Sequence, residues 1–99
     1  MRFRVVLTPE AKRNIDNLFE FVARDSPANA QRLVTGLERR LKTLRTLPRR
    51  CPRAPEDGHR GLKIRHLIYG DYRIVFAILD DLVAVLQVRH GARLPRDDG

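Results

Sequence analysis

The chain has no tryptophan, one cysteine and six aromatic residues in 99. A lone Cys51 excludes an internal disulfide, and a reducing cytoplasm is the expected setting. The longest apolar run, Ile74 to Leu79, has six residues. A helix that spans a bilayer needs roughly 20, so no membrane contact is expected. The opening Met1-Arg2-Phe3-Arg4 lacks the apolar block of a secretory signal. His59, His66 and His90 have no paired metal-ligand spacing and no cysteine partners. Gly58 and Gly61 are isolated, so no glycine-rich phosphate loop exists. No metal and no cofactor is therefore expected. Carboxylates cluster on no strand, which argues against an acid–base pair.

What the chain has in excess is positive charge. Twenty Lys and Arg stand against twelve Asp and Glu, a net of +8. Residues 39–65 hold ten basic and two acidic residues, Glu56 and Asp57, and so carry the whole imbalance. Such a segment is either a solvated surface or an electrostatic footprint for a polyanion or an acidic protein. Cys51 lies among Arg49, Arg50 and Arg53, neighbours expected to lower its pKa. A nucleophilic role would also need an oriented base, and His59 is only a loop neighbour.

Ninety-nine residues suit one domain, residues 1–99. In residues 2–7, Phe3, Val5 and Leu7 alternate with Arg2, Arg4 and Val6, the period of a strand. Thr8-Pro9-Glu10 is a helix start: a side-chain acceptor, a residue with no N–H to leave orphaned, and an acid at the positive helix end. Ala11, Ile15, Leu18, Phe19 and Val22 form one helical stripe. After a break at Arg24-Asp25, Ser26-Pro27 repeats the start signal. The second stripe runs Ala30, Leu33, Val34, Leu37, Leu41 and Leu44, and Leu47-Pro48 ends it. Gly36 within that helix costs roughly 1 kcal/mol against alanine; it marks a close helix contact or is merely tolerated. So short a connection makes the helices an antiparallel hairpin.

Residues 48–60 hold three prolines and a glycine and read as an irregular loop. Strands follow over 62–69, 72–79 and 82–89, with turns at Gly70-Asp71 and Asp80-Asp81. The expected fold is α+β: a four-stranded, mainly antiparallel sheet with a two-helix hairpin on one face, in the order β-α-α-β-β-β.

Each helix has one apolar stripe, so the hairpin covers one face of the sheet. Tyr72, Ile74, Phe76 and Ile78 are assigned to that face. Val75, Ala77 and Leu79, with Val83 and Val85 if the register agrees, are then expected on an exposed reverse face. An apolar patch of that kind marks a binding surface, unless the basic loop or the C-terminal tail folds over it. Beside the meander stand Lys63, Arg65, Arg73 and Arg93, with His66 and His90 near them. An unpaired Arg73 guanidinium would be costly to bury, so it reaches Asp71 or Asp80, or faces solvent and a phosphate. Such cations bind a polyanion, or stabilise the charge that develops when an RNA 2′-hydroxyl attacks its own phosphate.

The segments VVLTPEAKRNIDNLFEFVARDSPANAQRLVTGLERRLKTLRTLP, IYGDYRIVFAI and VLQVRHGAR together resemble the RelE/ParE superfamily of toxins from bacterial type II toxin–antitoxin systems, over about residues 3–93. The resemblance implies neutralisation by a small antitoxin protein, here expected at Val75, Ala77 and Leu79. RelE-like members cut messenger RNA on the ribosome without a metal. By that likeness Lys63, Arg65, Arg73 and Arg93 would be catalytic. Many such nucleases also carry a tyrosine near the C-terminus, whereas no Tyr follows Tyr72 here; His90 would have to serve as general acid instead. ParE-like members inhibit DNA gyrase and lack those residues. The ARDSPANAQRLV junction and the HGAR ending look more like the ParE branch. A non-toxic nucleic-acid-binding module is the reading from another class.

Overall fold

A computed structural model describes residues 2–91. Strand β1 (Arg4–Leu7) leads into helices α1 (Pro9–Ala23) and α2 (Pro27–Thr43), followed by β2 (Ile64–Tyr69), β3 (Tyr72–Leu79) and β4 (Leu82–His90). Both helix starts form as the sequence dictates. The Thr8 Oγ1 accepts from the Ala11 amide at 3.2 Å, and the Ser26 Oγ accepts from the Asn29 amide at 3.2 Å. Thr8 also ties α1 to the sheet, since its hydroxyl donates to the Val85 carbonyl at 2.9 Å.

The sheet order is β1-β4-β3-β2. β1 runs parallel to β4; the other two pairings are antiparallel. The helix hairpin packs on one face, with α1 against β4 and α2 against β2. Between them lies the main core, which includes Leu37, Leu44, Ile74, Phe76, Val83 and Val85.

Register corrects one expectation. The two-residue turn at Asp80-Asp81 pairs Leu79 with Leu82 and so Ile78 with Val83 and Phe76 with Val85. Residues paired across an antiparallel ladder share a face, so Val83 and Val85 belong to the helix side. A bulge then intervenes. Val75 pairs with Gln87, which leaves Leu86 as the extra residue on β4. From there Val88 faces the helices, while Gln87 and Arg89 share the face of Val75 and Arg73.

Gly36 does mark a close contact. A Cβ there would overlap the Oη and Cζ of Tyr69. The absent side chain is the space into which Tyr69 of β2 fits.

Candidate functional site: a roofed sheet face and its arginine lock

The reverse face of the sheet is not open. The irregular loop folds back over it, and Ala54 with its neighbour Leu62 packs on Ile64, Val75 and Leu86. Val75 and Ala77 are each 1% exposed, and only Leu79, at 44%, is accessible. The expectation of an exposed Val75–Ala77 patch is overturned. The physical reason is that the proline-rich loop supplies its own small apolar cover.

The roof is stitched to the free edge of β2. The Ala54 amide donates to the Ile64 carbonyl at 2.9 Å, and the His66 amide donates to the Pro52 carbonyl at 3.2 Å. The Asp57 carboxylate accepts from the Ile64 amide at 2.8 Å and pairs with Arg53 at 2.8 Å. Those bonds also hold Asp57 below the usual carboxylate range, Arg53 first among them. An unpaired strand edge invites association with other chains; here the loop occupies the lower half of it.

The roof is locked by one buried ion pair. Glu56 descends from the loop onto Arg73 of β3. The Arg73 Nη2 donates to Glu56 Oε2 at 2.8 Å and its Nη1 donates to Oε1 at 3.1 Å. This two-pronged geometry is the strong form of an arginine–carboxylate contact. The Arg73 side chain is 3% exposed and that of Glu56 13%. Arg89 of β4 approaches the same carboxylate at 3.7 Å. His66 completes the group, its Nδ1 lying 3.0 Å from Arg73 Nη1. Because arginine only donates, His66 must be neutral and accept there. Arg73 therefore reaches neither Asp71 nor Asp80; its partner lies 17 positions back in the loop.

The protonation states follow from this packing. Burial pushes the Glu56 carboxyl up, but the hydrogen bonds and charge of Arg73, with the charge of Arg89, outweigh it and hold it below the ordinary value. Burial lowers the His66 pKa, the Arg73 charge lowers it further, and Glu56 offsets part of this. Both groups bind protons less readily folded than unfolded, so both contribute stability that is lost as pH falls. The His66 contribution should begin to fade below about pH 6.5 and that of Glu56 below about pH 4.5. Urea denaturation across that range should show two descending steps, and His66→Asn, which keeps an acceptor but does not titrate, should remove the upper one. A single step in both proteins would contradict this.

Cys51 is also corrected. It is buried, and desolvation raises its pKa in spite of Arg50 and Arg65. It is a residue of the main core at the start of the loop and not an activated thiol.

Of the proposed catalytic residues, Arg73 and His90 line one pocket, and Lys63 and Arg65 do not line it. Arg73 is committed to Glu56. Arg65 pairs with Phe76, which places it on the opposite face from Arg73, and its guanidinium donates to the Cys51 carbonyl. Lys63 is exposed just before β2. His90 ends β4, its ring edge-on to Tyr72 at 5.6 Å. Arg93 lies outside the described residues. Sequence reasoning missed Glu56, Arg89 and the His66 acceptor role. The one available signal was that Glu56 and Asp57 are the sole acids in a strongly basic loop.

Between the loop and the sheet lies a cavity of about 360 Å³, lined by the apolar Leu62, Ile64, Val75 and Leu86 and by the polar Glu10, Glu56, His59 and Arg60. Among the described residues no group of three or more His, Cys, Asp or Glu side chains is placed to hold a metal ion.

The family model for the ParE toxin of type II toxin–antitoxin systems (parDE) matches residues 5–95. The chain belongs to the ParE toxin family. No curated protein matches its sequence. The toxin's fold is similar to a solved structure titled "Chromosomal ParDE TA system from P. aeruginosa", with a TM-score of 0.70 at 14% identity, covering 90% of this chain and 96% of that one. No helix among the described residues of the toxin is long and apolar enough to cross a membrane.

Proposed function

We propose that this ParE-family toxin acts in the cytoplasm on DNA gyrase, and that an antitoxin protein neutralises it. The family match over residues 5–95 carries this reading. The locked Arg73 adds to it. A ribonuclease needs free cations around a phosphate, whereas here Arg73 is spent on Glu56 and Arg65 faces the other way. The P. aeruginosa relative, titled as a ParDE system, supports the antitoxin partner by similarity of fold. Leu79 is the antitoxin contact this reading keeps, because Val75 and Ala77 become available only if the roof lifts.

The purified toxin should abolish gyrase supercoiling, and co-purified antitoxin should restore it. In a translation reaction the toxin should leave ribosome-bound message intact. Codon-positioned cleavage with unimpaired supercoiling would instead establish the RelE-like reading, with Lys63, Arg65, Arg73, His90 and Arg93 as the residues to test.

A further inference from the structure

The two edges of the sheet are finished differently. On β2 the loop takes Ile64 and the His66 amide, and the Arg40 Nη1 donates to the Ile68 carbonyl at 3.2 Å. The opposite edge strand is β1. Its Arg4 amide and the Thr8 amide that follows it donate inward to the Asp81 and Val85 carbonyls, at 2.9 and 3.0 Å. Backbone groups alternate in direction along a strand, so those of Val5 and Leu7 point away from the sheet. Among the described residues nothing bonds to them. Within Arg4–Leu7 no proline or bulge blunts the edge, and Arg4 is its one charge; edge strands are ordinarily protected by such devices.

The free row is short and closed at both ends. Before it, the Phe3 amide is committed to the Arg45 carbonyl at 2.8 Å. After it, Pro9 has no amide to offer. Between them stands Val6, on the reverse face with Ala84 and 42% exposed. On the helix side a groove of about 190 Å³ is lined by Val5, Leu7 and Leu41 and by Glu38, Lys42 and Arg45. Glu38 is the only acid of α2. It makes no ion pair among the described residues, where all three pairs use Glu56 or Asp57.

We propose that this edge pairs with β1 of a second copy of the chain, antiparallel about a two-fold axis at Val6, so that one sheet runs through both molecules. In that register Val5 stands opposite Leu7 of the second copy, and Leu7 opposite its Val5. Outward-facing residues of an antiparallel ladder exchange both bonds, so every free amide of the row is used. Val6 meets its own copy at the narrow position between those bonds, where β-branched side chains pack well. Phe3, whose amide is spent, falls opposite Pro9, which has none to give. Arg4 falls opposite Thr8, so like charges do not face each other directly. A two-fold interface presents one patch twice, and a groove that holds one acid and two cations is complementary to itself. So short an edge makes a weak dimer that depends on concentration. The inference does not rest on the toxin's target.

Analytical ultracentrifugation of the full chain alone should show monomer and dimer in reversible exchange. As concentration rises, amide exchange should slow at Val5 and Leu7 and stay constant at Arg4, whose amide is bonded within the fold. Val6→Lys sets like charges against each other at the axis and should weaken the dimer by about tenfold. Val6→Thr, also a good strand former, should keep it. Val6 is exposed, so both variants should melt as the parent does. Glu38→Lys should weaken the dimer as well. A chain that stays monomeric at every concentration would overturn the proposal. So would a dimer whose Val5 and Leu7 amides exchange freely, or one indifferent to Val6→Lys. Protection of those amides only when antitoxin is added would also overturn it, by giving the edge to the antitoxin.

Discussion

Glu56→Ala is expected to cost about 3–5 kcal/mol of folding stability, the range for removing one partner of a buried ion pair. The loss is large because Arg73 cannot follow its partner out. Arg73 sits mid-sheet with its side chain 3% exposed, and its Nε already lacks a partner among the described residues. Without the carboxylate, His66 and Arg89 face an uncompensated guanidinium and the loop loses its anchor. The alternative of bringing water to Arg73 requires the Ala54–Leu62 cover to lift. Amide exchange should therefore accelerate at Ala54 and Ile64, whose bonds stitch the roof to β2, before it accelerates in the helices. The double variant Glu56→Leu, Arg73→Met should lie close to the parent in urea denaturation, because apolar replacement of a buried pair is commonly neutral or better. If Glu56→Ala unfolds at the parental midpoint, the pair is not a lock.

Gly36→Ala should destabilise by about 1–3 kcal/mol, although alanine is intrinsically the better helix former by about 1 kcal/mol. The added methyl would occupy the position of the Tyr69 hydroxyl, and the tyrosine ring is rigid. Tyr69 must leave its place against the core, and the Arg40 guanidinium stacked over it at 5.5 Å loses its platform. The sign should reverse in a shortened background. With Tyr69→Leu in place, Gly36→Ala should stabilise by about 1 kcal/mol, since only the helix preference is left. A thermal denaturation cycle over the four proteins measures this coupling, and additivity would refute the steric account.

These two expectations differ in how far the sequence alone foretells them. The helix starts at Thr8-Pro9 and Ser26-Pro27 and the strands of the meander are readable because each depends on neighbours within a few positions. Gly36 is readable as an anomaly, though its partner Tyr69 is not, because that contact joins residues 33 positions apart. The Asp80-Asp81 turn contains enough to place Val83 and Val85 on the helix side; treating their register as open led to the wrong face. The bulge at Leu86 has no local signature. The roof was hardest to foresee. A loop with Pro48, Pro52, Pro55 and Gly58 shows no period to reveal which way it faces, and its choice rests on one glutamate meeting an arginine on a strand made later in the chain. The greasy, open reverse side that motivated a partner was therefore mistaken, while the likeness to the toxin superfamily rested on order and spacing and was independent of it.

The parallel pairing of β1 with β4 has a consequence for synthesis. Arg4 finds its ladder partner only at Leu82, and Thr8 closes on Val85. The helical hairpin can form early from local contacts, but long-range strand pairing comes late and slowly. On the ribosome, the first strand must wait for the last one to leave the exit tunnel. A message truncated before Leu82 would yield a helical fragment with no completed sheet, so the toxin fold closes only after β4 has been made.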